Sequence, residues 1–149
     1  MHQFNLPEYQ LNIKKNKDGF LILDPLRKRW VALTPEEWVR QNFVRYLIEE
    51  KDFPAALMSN EISITQNGIK RRCDTVVADC QGDVLVIVEY KAPSIPISQK
   101  TFDQIVRYNM VLMAKYLMVS NGMSHYCCKI DYDNKTYSFL EEIPCYSNL

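Results

Sequence analysis

Three side chains that could together handle a phosphodiester lie inside one short stretch, "RCDTVVADCQGDVLVIVEYK": Asp74, Glu89 and Lys91. Carboxylates offer only oxygen, which suits a hard divalent ion such as Mg2+ or Mn2+. Such an ion polarises a phosphoryl oxygen and makes a bound water more acidic, and a neighbouring lysine can orient that water or stabilise negative charge. The competing reading is a set of ordinary ion pairs at a sheet rim, Asp74 with Arg71 or Arg72 and Glu89 with Lys91. For an isolated Glu-x-Lys tripeptide that reading usually wins, so the choice rests on how the chain positions the three residues.

Two apolar runs flank a polar break here, and a third run, "EISITQ", precedes them. Asn67-Gly68 is a strong two-residue hairpin signal, and Gln81-Gly82 marks a second turn. A loop at 67 and 68 pairs residues whose numbers sum to 135, and a loop at 81 and 82 pairs those summing to 163. Asp74 then faces Glu61 on one side and Glu89 on the other. Opposed residues share a face with Cβ atoms roughly 5 Å apart, which predicts a row of carboxylates across three strands. Lys91 follows on the same face, with Arg72 as its cross-strand neighbour. Val76 with Ile87 and Ala78 with Leu85 share the carboxylate face, and Thr75, Val77, Val86 and Val88 fill the reverse. Both faces are apolar, so the hairpin reads as the middle of a sheet covered on both sides. Carboxylates crowded there need a cation, or repulsion and desolvation would protonate them.

The covering elements are legible too. Thr34, Pro35 and Glu37 form a capping box ahead of "WVRQNFVRYLIEE", predicting a helix from Thr34 to about Glu50. Val39, Phe43 and Leu47 mark its buried line; Glu37, Gln41, Val44 and Ile48 lie beside it, and the helix is expected on the carboxylate face or its rim. Before it stand a hairpin, "YQLNI" and "FLILD" turning through "KNKDG", and the segment "PLRKRWVAL". After the central strands come a helix containing "DQIVRY" and strands "KYLMVS", "SHYCCKID" and "TYSFLEE".

Composition narrows the class. The 149 residues carry 18 basic and 18 acidic side chains, so a polyanion would have to be met by a local patch. Lys70, Arg71, Arg72 and Lys100 are near the acidic row, although a solvated edge is the default for such a cluster. Five cysteines without a CxxC pair argue against a disulfide scaffold or zinc site and fit a reducing cytoplasm. No stretch is long and apolar enough for a leader or a membrane span. His125 stands alone, and Cys127 and Cys128 point to opposite faces; none is assigned a catalytic role.

Asp74 followed by Glu89-Tyr90-Lys91 resembles the PD-(D/E)xK nuclease motif, with Cys73 where proline is usual. The order of elements resembles that superfamily's αβββαβ core. More specifically, "ILDPLRKRWVALTPEEWVRQNFVRYLIEEKDFP", "RRCDTVVAD" and "VLVIVEYKAP" resemble the N-terminal nuclease domain of type I restriction enzyme R subunits, over roughly residues 20 to 120. The resemblance implies an α+β (α/β) fold: a mixed central sheet flanked by helices, with an added N-terminal hairpin and C-terminal strands, as one domain over residues 1–149. It implies a Mg2+- or Mn2+-dependent deoxyribonuclease acting on DNA, with restriction-modification or helicase subunits as partners. Asp74 and Glu89 would bind the metal and Lys91 would be the catalytic lysine. Gln104 and Tyr108, four apart on one helical face, match a QxxxY motif that assists the site or engages nucleic acid; Arg72 enters as a DNA contact from its place beside the acidic row, not from the resemblance. Glu37 matches an acidic position that completes the site in many relatives, with its capping-box role equally open. Glu61 enters as a ligand from the register alone and depends on an unbroken hairpin. The chain has no GxxxxGK[ST] phosphate loop and no room for the motor that R subunits carry after this domain. A catalytically silent nuclease-fold module that binds nucleic acid or a partner protein is the alternative.

Overall fold

The structure, a computed structural model, describes residues 4–149. A first hairpin turns tightly at Lys17 and Asp18, joining β1 (Ile13–Asn16) to β2 (Gly19–Asp24). The segment left unassigned in "PLRKRWVAL" supplies β3 (Arg29–Ala32), which closes a separate three-stranded sheet. Thr34 then caps α1 (Pro35–Lys51), its hydroxyl accepting from Glu37 N at 3.0 Å.

The remaining chain follows the expected order: β4 (Met58–Gln66), β5 (Ile69–Ala78), β6 (Val84–Tyr90), α2 (Gln99–Asn109), β7 (Tyr116–Ser120), β8 (His125–Asp131) and β9 (Thr136–Phe139). The six strands form one sheet in sequential order. It is mixed because β6 and β7 run parallel, α2 carrying the chain between them.

The Asn67-Gly68 turn has positive φ at both residues, 51° and 78°, the requirement of a type I′ hairpin. Every β4–β5 pair has numbers that sum to 135, from Met58 with Val77 to Gln66 with Ile69. The ladder skips Glu61 and Asp74, however, and Glu61 sits at φ 53°. The 163 register holds from Thr75–Val88 to Val77–Val86 and then breaks, since Ala78 pairs with Val84. Ala78 does not oppose Leu85 as expected. The turn is wider than two residues: Asp79 N donates to Asp83 O, and Asp79 Oδ1 accepts from the amides of Gln81 and Asp83. The extra residue makes a bulge that turns Leu85 to the opposite face.

Two cores result. Under α1, Val39, Phe43 and Leu47 pack on Val77, Val86, Val88 and Tyr90. Under α2, Phe102, Ile105 and Val106 pack on Val76, Ile87, Leu117 and Val119. Fully burying a side chain such as Phe43 or Leu47 contributes about 1.5–3 kcal/mol. Cys127 joins the first core and Cys128 the second. The expectation for α1 needs correcting: it covers the face opposite to Val76 and Ile87, because the residues that complete its apolar line are Val77, Val86 and Val88.

Gly122 closes the β7–β8 turn at φ 85°, and a Cβ there would stand 2.6 Å from the Phe4 ring. Gly122→Ala is expected to lower stability by about 1 kcal/mol from backbone strain alone, and by more if Phe4 cannot move. A urea titration checks this; an unchanged midpoint would show that the turn relaxes freely.

Candidate active site

Asp74 lies where the β4–β5 ladder is interrupted. Cys73 and Val76 both pack under α2, three residues apart, so the alternation of β5 slips at this point. The Asp74 carbonyl, outside the ladder, accepts from Arg40 Nη1 at 2.7 Å, and its carboxylate accepts from Tyr90 N at 2.9 Å. Glu89 is the residue before Tyr90, and the Asp74 carboxylate is the neighbouring acid that acts on it. Burial first, then the Asp74 charge, push Glu89 up to about 8, against the pull of Asn109 and Lys91. Asn109 Nδ2 reaches Glu89 Oε1 at 3.4 Å.

Glu89 and Lys91 share a groove with Arg72, Gln104, Tyr108 and Asn109. Strand β6 supplies Glu89, and Lys91 follows its last residue, Tyr90. Helix α2, capped by Ser98, which accepts from Thr101 N at 3.1 Å, places Gln104 and Tyr108 across from them. Both side chains are exposed. Arg71 stacks on Tyr108 at 4.5 Å from the ring centre and donates to its carbonyl at 3.0 Å. Lys91 makes no ion pair among the described residues. The rim pairing of Asp74 with Arg71 or Arg72, and of Glu89 with Lys91, is therefore not formed.

Asp74 lines a different cavity from Glu89 and Lys91, on the α1 side, with Glu37, Arg40, Glu61 and Tyr90. Arg40, 6% exposed, donates from Nη2 to Glu61 Oε1 at 2.5 Å and places Nε 3.2 Å from Glu37 Oε2. Arg72 holds the other Glu61 oxygen at 2.7 Å, and this pairing with desolvation outweighed keeps Glu61 below the usual carboxylate range. Glu37 accepts from Arg27 at 2.6 Å and from Gln41 at 2.9 Å, besides capping α1 through its amide. Both carboxylates are thus held by cations of the chain. Among the described residues no set of three or more His, Cys, Asp and Glu side chains forms a metal cage. The register puts Glu61 level with Asp74, but its αL backbone turns it out of the expected row of three.

Residues 35–144 match the family model described as the type I restriction enzyme R protein N terminus. The chain belongs to that family.

A solved structure similar to this R-protein N-terminal chain is a fragment described as an HsdR subunit of a type I restriction enzyme from Vibrio vulnificus YJ016. The TM-score is 0.52 at 20% identity, covering 76% of this chain and 24% of that one. The likeness is one of fold, and this chain spans about a quarter of the fragment's length. No curated protein matches the chain significantly. No helix among the described residues is long and apolar enough to cross a membrane.

Several residues around the candidate site escaped the sequence reading. Arg40 is one helical step from Glu37, a visible i, i+3 pair, but its other partners come from β4 and β5. Asn109 follows Tyr108 directly but lies on the buried face of α2 with Ile105, where spacing gave no signal for it. Asp24, fully buried, accepts from Arg27 and Asn60; Asn60 in turn takes the Thr75 hydroxyl, which meets Tyr90 OH. That chain of contacts ties the small sheet to the strands carrying Asp74 and Glu89.

Proposed function

We propose that the chain is a Mg2+- or Mn2+-dependent nuclease that hydrolyses DNA phosphodiesters at Asp74, Glu89 and Lys91. The observation that carries the reading is a pair of neighbouring carboxyls without an arginine partner, one raised by burial and by the other's charge, next to a lysine with no ion-pair partner. Asp24, Glu37 and Glu61 are each matched with an arginine; this pair is not.

The donor set fits a hard divalent ion. Magnesium is commonly held by one or two carboxylates, with waters and substrate phosphate completing the shell. Asn109 Oδ1, buried and without a hydrogen-bond partner, lies on the amide that reaches Glu89, an acceptor with room for a donor or ion-bound water. Asp74 and Glu89 would hold the ion. When bound, it supplies Lewis-acid polarisation of the phosphoryl oxygen and a more acidic water. The Tyr90 amide fixes one Asp74 oxygen, and Asn109 steadies Glu89. Lys91 orients a water or meets the developing negative charge. Arg72, Gln104 and Tyr108, along the same groove, position the phosphate and the strand. Glu37 and Glu61 serve this site through Arg40, which holds the Asp74 carbonyl.

Isothermal titration with Mn2+ and cleavage of single- and double-stranded DNA test the reading on wild type, Asp74→Asn and Lys91→Ala. Wild type should bind metal and cut, Asp74→Asn should bind weakly, and Lys91→Ala should bind at least as well as wild type without cutting. A wild type that neither binds Mn2+ at millimolar levels nor cuts DNA would leave the binding-module reading in its place.

A further inference from the structure

The three-stranded sheet lies outside the segment matched to the R-protein family, which begins at residue 35. It is also where positive charge collects. Between Ile13 and Ala32 stand Lys14, Lys15, Lys17, Arg27, Lys28 and Arg29 against Asp18 and Asp24. This leaves a net four positive charges in a chain whose total is zero. Asp24 and Arg27 are paired with each other inside the protein, so the excess belongs to the exposed lysines and Arg29.

Pairing sets the geometry of the outer face. Lys14 pairs with Leu21, which pairs with Ala32, and Leu23 pairs with Trp30. Leu21 and Leu23 are two apart, so Lys14 and Trp30 share a face, and the reverse face carries buried Ile22 and Asp24. Lys14 Nζ stands 4.3 Å from the centre of the Trp30 ring, which is 38% exposed. Arg29 and Trp30 line the same cavity as Asp74 and Arg40.

We propose that this sheet is a contact surface for a single DNA strand, which Trp30 and the surrounding cations lead toward Asp74. An exposed ring beside lysines offers a stacking platform for an unpaired base and charge for its phosphates. When a base takes the Trp30 face, Lys14 is displaced from the ring and left beside the phosphate linked to that base. A paired base presents no free face, which favours a single strand over a duplex. The direction of travel rests on the nuclease reading; the binding surface does not.

The test uses the full chain in EDTA and the fluorescence anisotropy of a labelled single-stranded oligonucleotide. The matching duplex, the RNA of the same sequence and anionic phosphatidylserine vesicles are run beside it. The DNA strand should bind more tightly than the other three. Trp30→Ala should weaken it roughly tenfold, with Trp30→Phe recovering most of the loss. Lys14→Gln with Arg29→Gln should weaken it and reduce the slope of log K against log salt by about 1.4, the value for two phosphate contacts on a single strand. Lys129→Gln, on β8, should change neither, and circular dichroism shows that each variant is folded. Absent binding, binding indifferent to Trp30 and Lys14, or a preference for duplex, RNA or vesicles overturns the proposal. Trp30-dependent binding without cleavage in Mn2+ removes the nuclease reading and keeps this surface; cleavage indifferent to Trp30 does the reverse.

Discussion

Glu89→Gln is expected to abolish DNA cleavage and to remove a pH dependence from the protein's stability. The loss of rate should be roughly a thousandfold or more, as when an electrostatic group at a reacting centre is removed. The stability effect follows from proton linkage. Glu89 is raised from 4.5 to about 8 in the folded protein by burial and then by Asp74. Between those values the folded state holds a proton that the unfolded state has released, so without metal stability falls as pH rises through the window. The favourable difference is complete below the unfolded value and gone above the folded one. At 1.36 kcal/mol per pKa unit this is on the order of a few kcal/mol, less whatever solvent screening reaches the half-buried carboxyl. Asp24 and Glu61, both lowered, slope the other way at more acid pH, so the informative quantity is wild type minus Glu89→Gln. Calorimetric midpoints in EDTA from pH 5 to 8.5 should lie close together at the acid end and separate as pH rises, wild type falling below Glu89→Gln. Added Mn2+ should raise the wild-type midpoint most at the alkaline end, where proton competition is least. Parallel curves for the two proteins would mean that Glu89 titrates as an ordinary carboxylate.

Arg40→Met is expected to be the most destabilising single substitution at the site. Its guanidinium holds the Asp74 carbonyl at 2.7 Å and Glu61 at 2.5 Å, and lies 3.2 Å from Glu37, with the Arg40 side chain 7% exposed. Removing one partner of a buried ion pair costs about 3–5 kcal/mol because the other charge is left uncompensated. Glu37 keeps Arg27 and Gln41, and Glu61 keeps Arg72, so the lower end of that range is expected. Arg40→Met combined with Glu61→Gln should cost less than the two changes summed, since the orphaned charge is gone. Arg40→Lys should fall between, as an ammonium cannot reproduce the planar fork. Urea denaturation of wild type and the four variants, Glu61→Gln alone among them, decides it: a loss under about 1 kcal/mol for Arg40→Met would show the network to be loosely held.

What the sequence disclosed depended on how local the cause was. Turn residues and alternation are local, so the Asn67-Gly68 hairpin, its register and the capping of α1 could be read directly. The second hairpin was misread beyond Val77 because Asp79 draws two amides into a wider loop, a side-chain contact that Gln81-Gly82 does not advertise. The face covered by α1 was also misassigned: with both faces of β6 apolar, periodicity could not choose between them. Asp74, Glu89 and Lys91 could be proposed from spacing, whereas the contacts of Arg40 could not. A buried arginine in a helix resembles a solvated one until partners 21 and 34 residues away are known.

The kink at Glu61 has a bearing on how copies of the protein behave toward one another. Strand β4 is nine residues long and forms one edge of the six-stranded sheet, with Ile62 exposed on it. A long, flat, partly apolar edge is a template on which another chain can add a strand, the first step of aggregation. With φ at 53°, Glu61 breaks the run of extended backbone near its middle, and the Arg40 and Arg72 contacts keep it broken. The charged pair that holds Glu61 away from the other two carboxylates therefore also guards the open edge, keeping β4 from serving as a seed for self-association.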